Sequence, residues 1–338
     1  MTSQDRVKRA VRFQGPDRIP HYLPDGQEND LIWLWPGRPA DQQPWTMLPN
    51  GRQRKVDAWG VTWETFGGGS FGEAISWPLA DITLQADYRF PDMFNPQHFD
   101  AARKAISINR ASDNPKYCLG VMSYGSLHEG AHNVMGLENL FAAYYQEPEH
   151  LHSWIGRLAE QQRESIRKLA ELGCDGVMGY DDWGLQDRLM VSPRLINEFF
   201  IPHYRQNWAL AHELGMDTWL HSCGHIIDLL PTFADAGLNV IQQDQQENMG
   251  IERLDAAVGG RMAFWCPVDI QKTMVDGTPD DIRAYVRRMI STIGAHRGGL
   301  ISMAYSTPEA VNHSPQNIAA MCAAFREYGC YDAPKLIQ

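Results

Sequence analysis

From about residue 117 the chain alternates short apolar runs with longer stretches in which apolar residues recur every three or four positions. The short runs at 117–123, 175–180, 217–222, 239–243, 262–266 and 300–304 predict strands. The longer ones at 137–172, 193–214, 225–236, 251–258, 279–294 and 315–328 predict helices. Within the first helical stretch, Leu151, Trp154, Leu158, Ile166 and Leu169 fall on one face, and Pro148 marks a helix start. Ser192-Pro193 and Thr278-Pro279 read as helix openings, the latter followed by Asp280 and Asp281 in the first turn. Gly173, Gly215 and Gly237 sit where helices stop.

Strands that alternate with helices imply parallel pairing through right-handed crossovers. Six such units, with a further strand at 18–23, predict an α/β fold: a single TIM-type (β/α)8 barrel filling residues 1–338. An open doubly wound sheet is the competing architecture, but no Gly-rich phosphate loop follows the first strand. Residues 25–116 break the rhythm. They are rich in Pro and Gly and hold Trp33, Trp35, Trp45, Trp59, Trp63 and Trp77. This region reads as a loop-rich insertion, with a hairpin, covering one mouth of the barrel.

Composition narrows the function. A chain of 338 residues, 43% hydrophobic, can bury one large core. Its net charge of −11 argues against nucleic acid or an anionic membrane as partner. Six cysteines without a CxxC pair read as reduced thiols, so a cytoplasmic location is expected. No long apolar run predicts a membrane span, and the charged start does not resemble a signal peptide.

Barrel chemistry sits at the C-terminal ends of the strands. The strongest candidate there is Asp217-Thr218-Trp219-Leu220-His221-Ser222-Cys223-Gly224. Side chains alternate along a strand, so His221 and Cys223 share a face, and together they form half of a four-ligand zinc site. Cys266, Asp181, Asp182 and Asp244 also stand at strand ends. Asp181 and Asp182 are also candidate catalytic carboxylates, Asp182 with the option of hydrogen-bonding His221. Tyr305 is a further catalytic candidate, and Tyr180, His128, His132 and Gln243 are candidates for substrate contact.

Two strings are weighed and set aside. His128-Glu129-Gly130-Ala131-His132 matches the zinc-protease pattern HExxH, which requires a helix. Here it follows a strand and contains Gly130, and the better helix begins near Leu137. Gly68-Gly69-Ser70-Phe71-Gly72 matches GxSxG but lacks the strand and helix of a nucleophile elbow.

Several segments, in order, resemble the uroporphyrinogen decarboxylase superfamily. The first are Arg6-Val7 with Pro16-Asp17-Arg18-Ile19-Pro20, Asp175-Gly176-Val177 with Asp181-Asp182-Trp183-Gly184, and His221-Ser222-Cys223-Gly224. The later ones are Gly260-Arg261 with Val268-Asp269-Ile270-Gln271, Gly298-Gly299-Leu300-Ile301, and Ser314-Pro315-Gln316-Asn317-Ile318. The resemblance implies the barrel and two chemistries. One is cofactor-free decarboxylation of a many-carboxylate porphyrinogen held by arginines. The other is cobalamin-linked methyl transfer, with zinc bound by His-x-Cys and a later Cys activating a thiol.

The decarboxylases' Arg-Gln-Ala-Gly-Arg segment is replaced by His21-Tyr22-Leu23-Pro24-Asp25-Gly26, which removes the cations such a substrate needs. The methyltransferases' later Cys should fall near Ala304-Tyr305, where neither residue is a thiol, so Cys266 is its nearest replacement as third ligand, with Asp181, Asp182 and Asp244 as oxygen alternatives, and their Glu appears as Gln242 or Gln243. The first expectation is therefore a zinc-dependent methyltransferase that moves a methyl group between a small substrate and a corrinoid or thiol acceptor. The corrinoid (methylcobalamin) would be supplied by a partner protein, and the resemblance adds a homodimer. One alternative is a decarboxylase of a different acid, with Asp181 or Asp182 stabilising an intermediate and Arg18 or Arg188 holding a carboxylate. Another is a non-catalytic binding protein on the same fold.

Overall fold

The computed structural model describes residues 1–24, 29–37, 44–67 and 72–331. Eight parallel strands form one sheet: β1 (His21–Tyr22), β2 (Leu31–Leu34), β7 (Tyr117–Val121), β8 (Gly176–Tyr180), β9 (Asp217–His221), β10 (Val240–Gln242), β11 (Ala263–Cys266) and β12 (Leu300–Met303). They run in the order β1-β12-β11-β10-β9-β8-β7-β2, a nearly closed TIM barrel. At the seam Asp30 N donates to His21 O (2.8 Å), and His21 N donates to Asp30 Oδ2 (2.8 Å).

Strand alternation divides the core in two. Leu31, Tyr117, Leu119, Met178, Trp219, Val240, Ala263, Trp265, Ile301 and Met303 fill the barrel interior. Leu220, Ile241, Phe264, Cys266 and Leu300 face outward and pack with residues of the surrounding helices. The bulk of Trp219 and Trp265, edge to face at 5.5 Å, leaves little room for solvent.

The helix Ser3–Val11 plugs the N-terminal end, placing Val7 and Val11 in the interior cluster. Its charged residues meet carboxylates where strands begin. Lys8 pairs with Asp175 (2.9 Å), Arg6 with Asp30 (2.8 Å), and Arg12 just beyond the helix with Asp217 (3.0 Å). The helices predicted at Pro148, Pro193, Pro279 and Pro315 all start there, and Thr278 with Asp281 forms a capping box. Gly173, Gly215 and Gly237 have positive φ at or just after helix ends.

Three expectations need correcting. The eighth strand, β2, lies inside 25–116, so the insertion begins after it. Beyond β2 the insertion builds a four-stranded antiparallel sheet, in order β3 (Thr46–Met47), β4 (Gln53–Val56), β5 (Thr62–Thr65) and β6 (Glu73–Ser76), more than a hairpin. And His128–Met135 is a helix despite Gly130. The GxSxG string falls at 68–72, of which only Gly72 is among the described residues. No helix among the described residues is long and apolar enough to cross a membrane.

Candidate metal centre

In β9, Trp219 and His221 point into the barrel and Leu220 points out, which carries the imidazole to the top of the interior. Cys223 comes two residues later, its loop turned by Gly224 at φ +76°. A Cβ at Gly224 would lie 2.3 Å from the Gly184 carbonyl oxygen, so only glycine permits this turn beside the loop after β8. That loop supplies Asp182, whose Oδ1 accepts from Cys223 N at 2.6 Å.

Three donor atoms converge. Cys223 Sγ lies 3.3 Å from His221 Nε2, and His221 Nε2 lies 3.4 Å from Asp182 Oδ1. Asp182, His221 and Cys223 form the one group of three possible ligands with mutually close donor atoms among the described residues. In a tetrahedron with Zn–N, Zn–O and Zn–S bonds of about 2.0–2.3 Å, neighbouring donors are about 3.4–3.6 Å apart. The two spacings from His221 Nε2 lie close to that edge length, all three donors lie within 4.8 Å of one another, and the side chains stay partly open, His221 at 17% and Asp182 at 35% exposure.

The register puts Gln242 of β10 opposite His221 of β9. The Gln242 amide oxygen meets His221 Nδ1, and its nitrogen donates to Asp244 Oδ1 (2.9 Å) and Met303 Sδ (3.2 Å). With the amide nitrogen committed to two acceptors, the oxygen must face the ring. His221 Nδ1 therefore carries the proton, and Nε2 keeps its lone pair for the cluster. Burial, with the charges of Asp182 and Asp244, pushes the Cys223 thiol up. A cation among these acceptors would reverse that by stabilising the thiolate.

The other candidates lie around this cluster or away from it. Cys266 is fully buried with the outward residues of its strand, so its thiol faces the helix layer and is outside the cluster. Asp182 takes the third place instead. Asp181 turns into the body of the protein and is fully buried. It accepts from Leu127 N and Glu129 N, both at 2.8 Å, and from the Tyr204 hydroxyl. Burial lifts its pKa to about 7 against those bonds, and its position is that of a clamp on the His128–Met135 helix. Gln243 is buried and donates to Gly224 O (3.3 Å), bracing the loop.

Within the HExxH string the two imidazoles do stack, with centroids 5.8 Å apart. His128, however, is buried against Trp183 at 4.4 Å, and that burial holds its pKa down near 3. Burial also lowers that of His132. Neither belongs to the ligand group. Arg18 pairs with Asp30 where β1 and β2 begin, at the end opposite Asp182, and Arg188 is exposed beside Asp187.

Two residues named in the sequence take roles here that it did not assign. Gln242 emerges from strand register. Glu129, the middle of the HExxH string, has its carboxyl raised to about 8, first by burial and then by Asp181 and Asp182. It is a carboxylic acid that keeps its proton near neutrality beside the cluster.

Cavities flank the centre on two sides. One of about 380 Å³ is lined by Tyr22, Trp33, Met303 and Tyr305, among others. Another of about 470 Å³ lies between the barrel mouth and the antiparallel sheet, lined by Lys55, Trp59, Tyr124 and Tyr180 among others. Tyr180 stacks on Trp35 (5.6 Å) and lies 5.9 Å from the His221 ring. Trp35 contacts Trp33 at 5.1 Å, so an aromatic wall runs between the two spaces.

Known proteins place this architecture. The solved structure of a methyltransferase from Methanosarcina mazei is similar over 97% of this chain and 99% of its own, with a TM-score of 0.68 at 14% identity, a likeness of fold. A uroporphyrinogen decarboxylase from Methylococcus capsulatus is 24% identical over 193 residues, 54% of this chain and 50% of that protein. The methylated-thiol–coenzyme M methyltransferase of Methanosarcina mazei is 23% identical over 178 residues, 53% of this chain and 46% of that protein. The chain thus spans about half the length of the curated relatives it matches. The sequence pattern described as uroporphyrinogen decarboxylase (URO-D) matches residues 70–328, most of the barrel, and the chain belongs to that family.

Proposed function

We propose that this chain is a methyltransferase of the family, with zinc held by Asp182, His221 and Cys223, that moves a methyl group between a small substrate and a corrinoid or thiol acceptor. The observation that carries the reading is the convergence of these three donors at the barrel mouth, with His221 oriented by Gln242. A bound zinc would supply Lewis acidity and favour the anionic form of a sulfur or oxygen group placed in its remaining position.

The protein's own groups do the rest. Gln242 keeps the proton of His221 on Nδ1. Cys223 N, by donating to Asp182 Oδ1, points that carboxylate at the other donors. The wall of Trp33, Trp35 and Tyr180 bounds the site on the side of the His221 ring. The Methanosarcina methyltransferases support the reading. Arg18, bound to Asp30 at the end opposite Asp182, weighs against a decarboxylase site in which that arginine holds the substrate carboxylate.

Metal analysis of the purified protein, with His221→Ala and Cys223→Ser, tests this. About one zinc per chain is expected in wild type and far less in either variant. Wild type prepared without chelators and carrying no zinc would remove the reading.

A further inference from the structure

Where β10 ends, the chain reads Gln242-Gln243-Asp244-Gln245-Gln246, four amides around one carboxylate. A side-chain amide donates and accepts at once, so each can bridge two groups. Three of them reach β9 or the loop that follows it. Gln242 joins Asp244 to His221. Gln243 accepts from Gln245 N (3.1 Å) and donates to Gly224 O (3.3 Å). Gln245 Oε1 accepts from Gly224 N at 2.7 Å. Both backbone polar groups of Gly224 are therefore held by one neighbouring strand end. Gly224 N belongs to the peptide that follows Cys223, and Cys223 N is bound to Asp182, so the thiol-bearing residue is held on both sides.

Asp244 is the charged member of this run, and it is 8% exposed. Among the described residues its side chain accepts one hydrogen bond, from Gln242 at 2.9 Å, and forms no ion pair. A carboxylate buried with so little compensation works against folding. Its contribution is orientation. An anionic oxygen is a far stronger acceptor than the Met303 thioether, the other partner of the Gln242 nitrogen. With Asp244 in place, turning the Gln242 amide over would set oxygen against oxygen.

We propose that the strand end at 242–245 is a template for the metal centre, with Asp244 and Gln245 as positioning residues. Asp244, through Gln242, keeps the proton of His221 on Nδ1. Gln245, through the Gly224 amide, sets where the Cys223 loop turns. That the two donors serve a metal rests on the methyltransferase reading, while the hydrogen-bonded arrangement does not depend on it.

Both arms can be read on the full chain after treatment with a chelator. Nitrogen NMR of histidine-labelled protein, with the signal assigned by its loss in His221→Ala, locates the ring proton. It should sit on Nδ1 in wild type and in Asp244→Asn, whose amide oxygen still accepts from Gln242, and should leave Nδ1 in Asp244→Leu. Hydrogen exchange at the Gly224 amide should quicken by about tenfold or more in Gln245→Leu. It should stay near the wild-type rate in Gln245→Glu, which keeps an acceptor. In chelator competition both leucine variants should bind zinc about tenfold or more weakly than wild type, with the two conservative variants well above them. Asp244→Ala and Gln245→Ala replace either leucine variant that does not fold. Nδ1 still protonated in Asp244→Leu, unchanged exchange in Gln245→Leu, or zinc affinity unmoved in both would overturn the proposal. Wild type that takes up no zinc removes the methyltransferase reading instead, and the NMR and exchange measurements still decide the template.

Discussion

Gln242 holds His221 at the nitrogen that faces away from Cys223. Its side chain cannot turn around without placing an N–H against Nδ1–H and losing the bonds to Asp244 and Met303. Removing such an outer partner of a metal-bound imidazole typically costs about 10–100-fold in affinity. Gln242→Met should weaken zinc by about that factor in competition with a chromophoric chelator. Gln242→Glu, which keeps an acceptor at Nδ1, should bind zinc at least as tightly as wild type. Wild-type affinity in Gln242→Met would show that the pair does not orient the ring.

Asp182 and Cys266 make opposite predictions. Asp182→Asn removes a charged donor from the cluster and should lower zinc affinity by about tenfold or more. Cys266→Ser lies in the helix-facing layer and should leave the affinity unchanged, at a cost of about 1–2 kcal/mol in folding stability from a buried hydroxyl. Zinc lost from Cys266→Ser and retained in Asp182→Asn would restore the sequence's first assignment of the third ligand.

His128 should give the fold an acid-sensitive component. Its folded pKa lies near 3, against about 6.5 when exposed, so the unfolded chain binds its proton first. The stability it contributes is complete above about pH 6.5 and is lost as pH falls from there toward 3, by up to about 5 kcal/mol. Urea denaturation should show that slope, and His128→Phe, which keeps a ring against Trp183, should flatten it. Parallel pH profiles for the two proteins would disprove this.

Gly224 tests the backbone behind the centre. A methyl group there meets the Gly184 carbonyl in a left-handed conformation that L side chains resist. Gly224→Ala should destabilise the protein by about 1–3 kcal/mol and weaken zinc as well, because Cys223 must move with the loop. Thermal denaturation and chelator competition read the two effects. A drop in stability with undisturbed zinc affinity would separate the turn from the ligand.

Much of this arrangement was legible in the chain. Periodicity located seven of the eight barrel strands and the proline-opened helices, because burial on both faces makes parallel strands read as apolar runs. β2 escaped because Leu31–Leu34 sits among Pro, Gly and Trp residues that read as loop. His221 and Cys223 do meet, but β9 ends at His221, so it is the loop turned at Gly224 and not strand alternation that brings the thiol to the ring. The third donor was less accessible. Whether Cys266 faces the interior or the helices depends on which residue of β11 begins the alternation, and Trp265 takes the inward place. Asp181 and Asp182 were likewise indistinguishable until Tyr204 and the amides of Leu127 and Glu129 claimed one of them. Gln242 needed the pairing of two strands, which no single segment contains.

The ring is sewn through seven parallel ladders and merely pinned at the eighth junction, where Asp30 bridges to His21. Tyr22 and Trp33 stand on either side of that pin and form one wall of the smaller chamber. Local opening is cheapest where few backbone bonds must break. Among the described residues this joint is thus where the cylinder has the fewest backbone bonds to lose, while the ladders that carry His221 and Gln242 run unbroken.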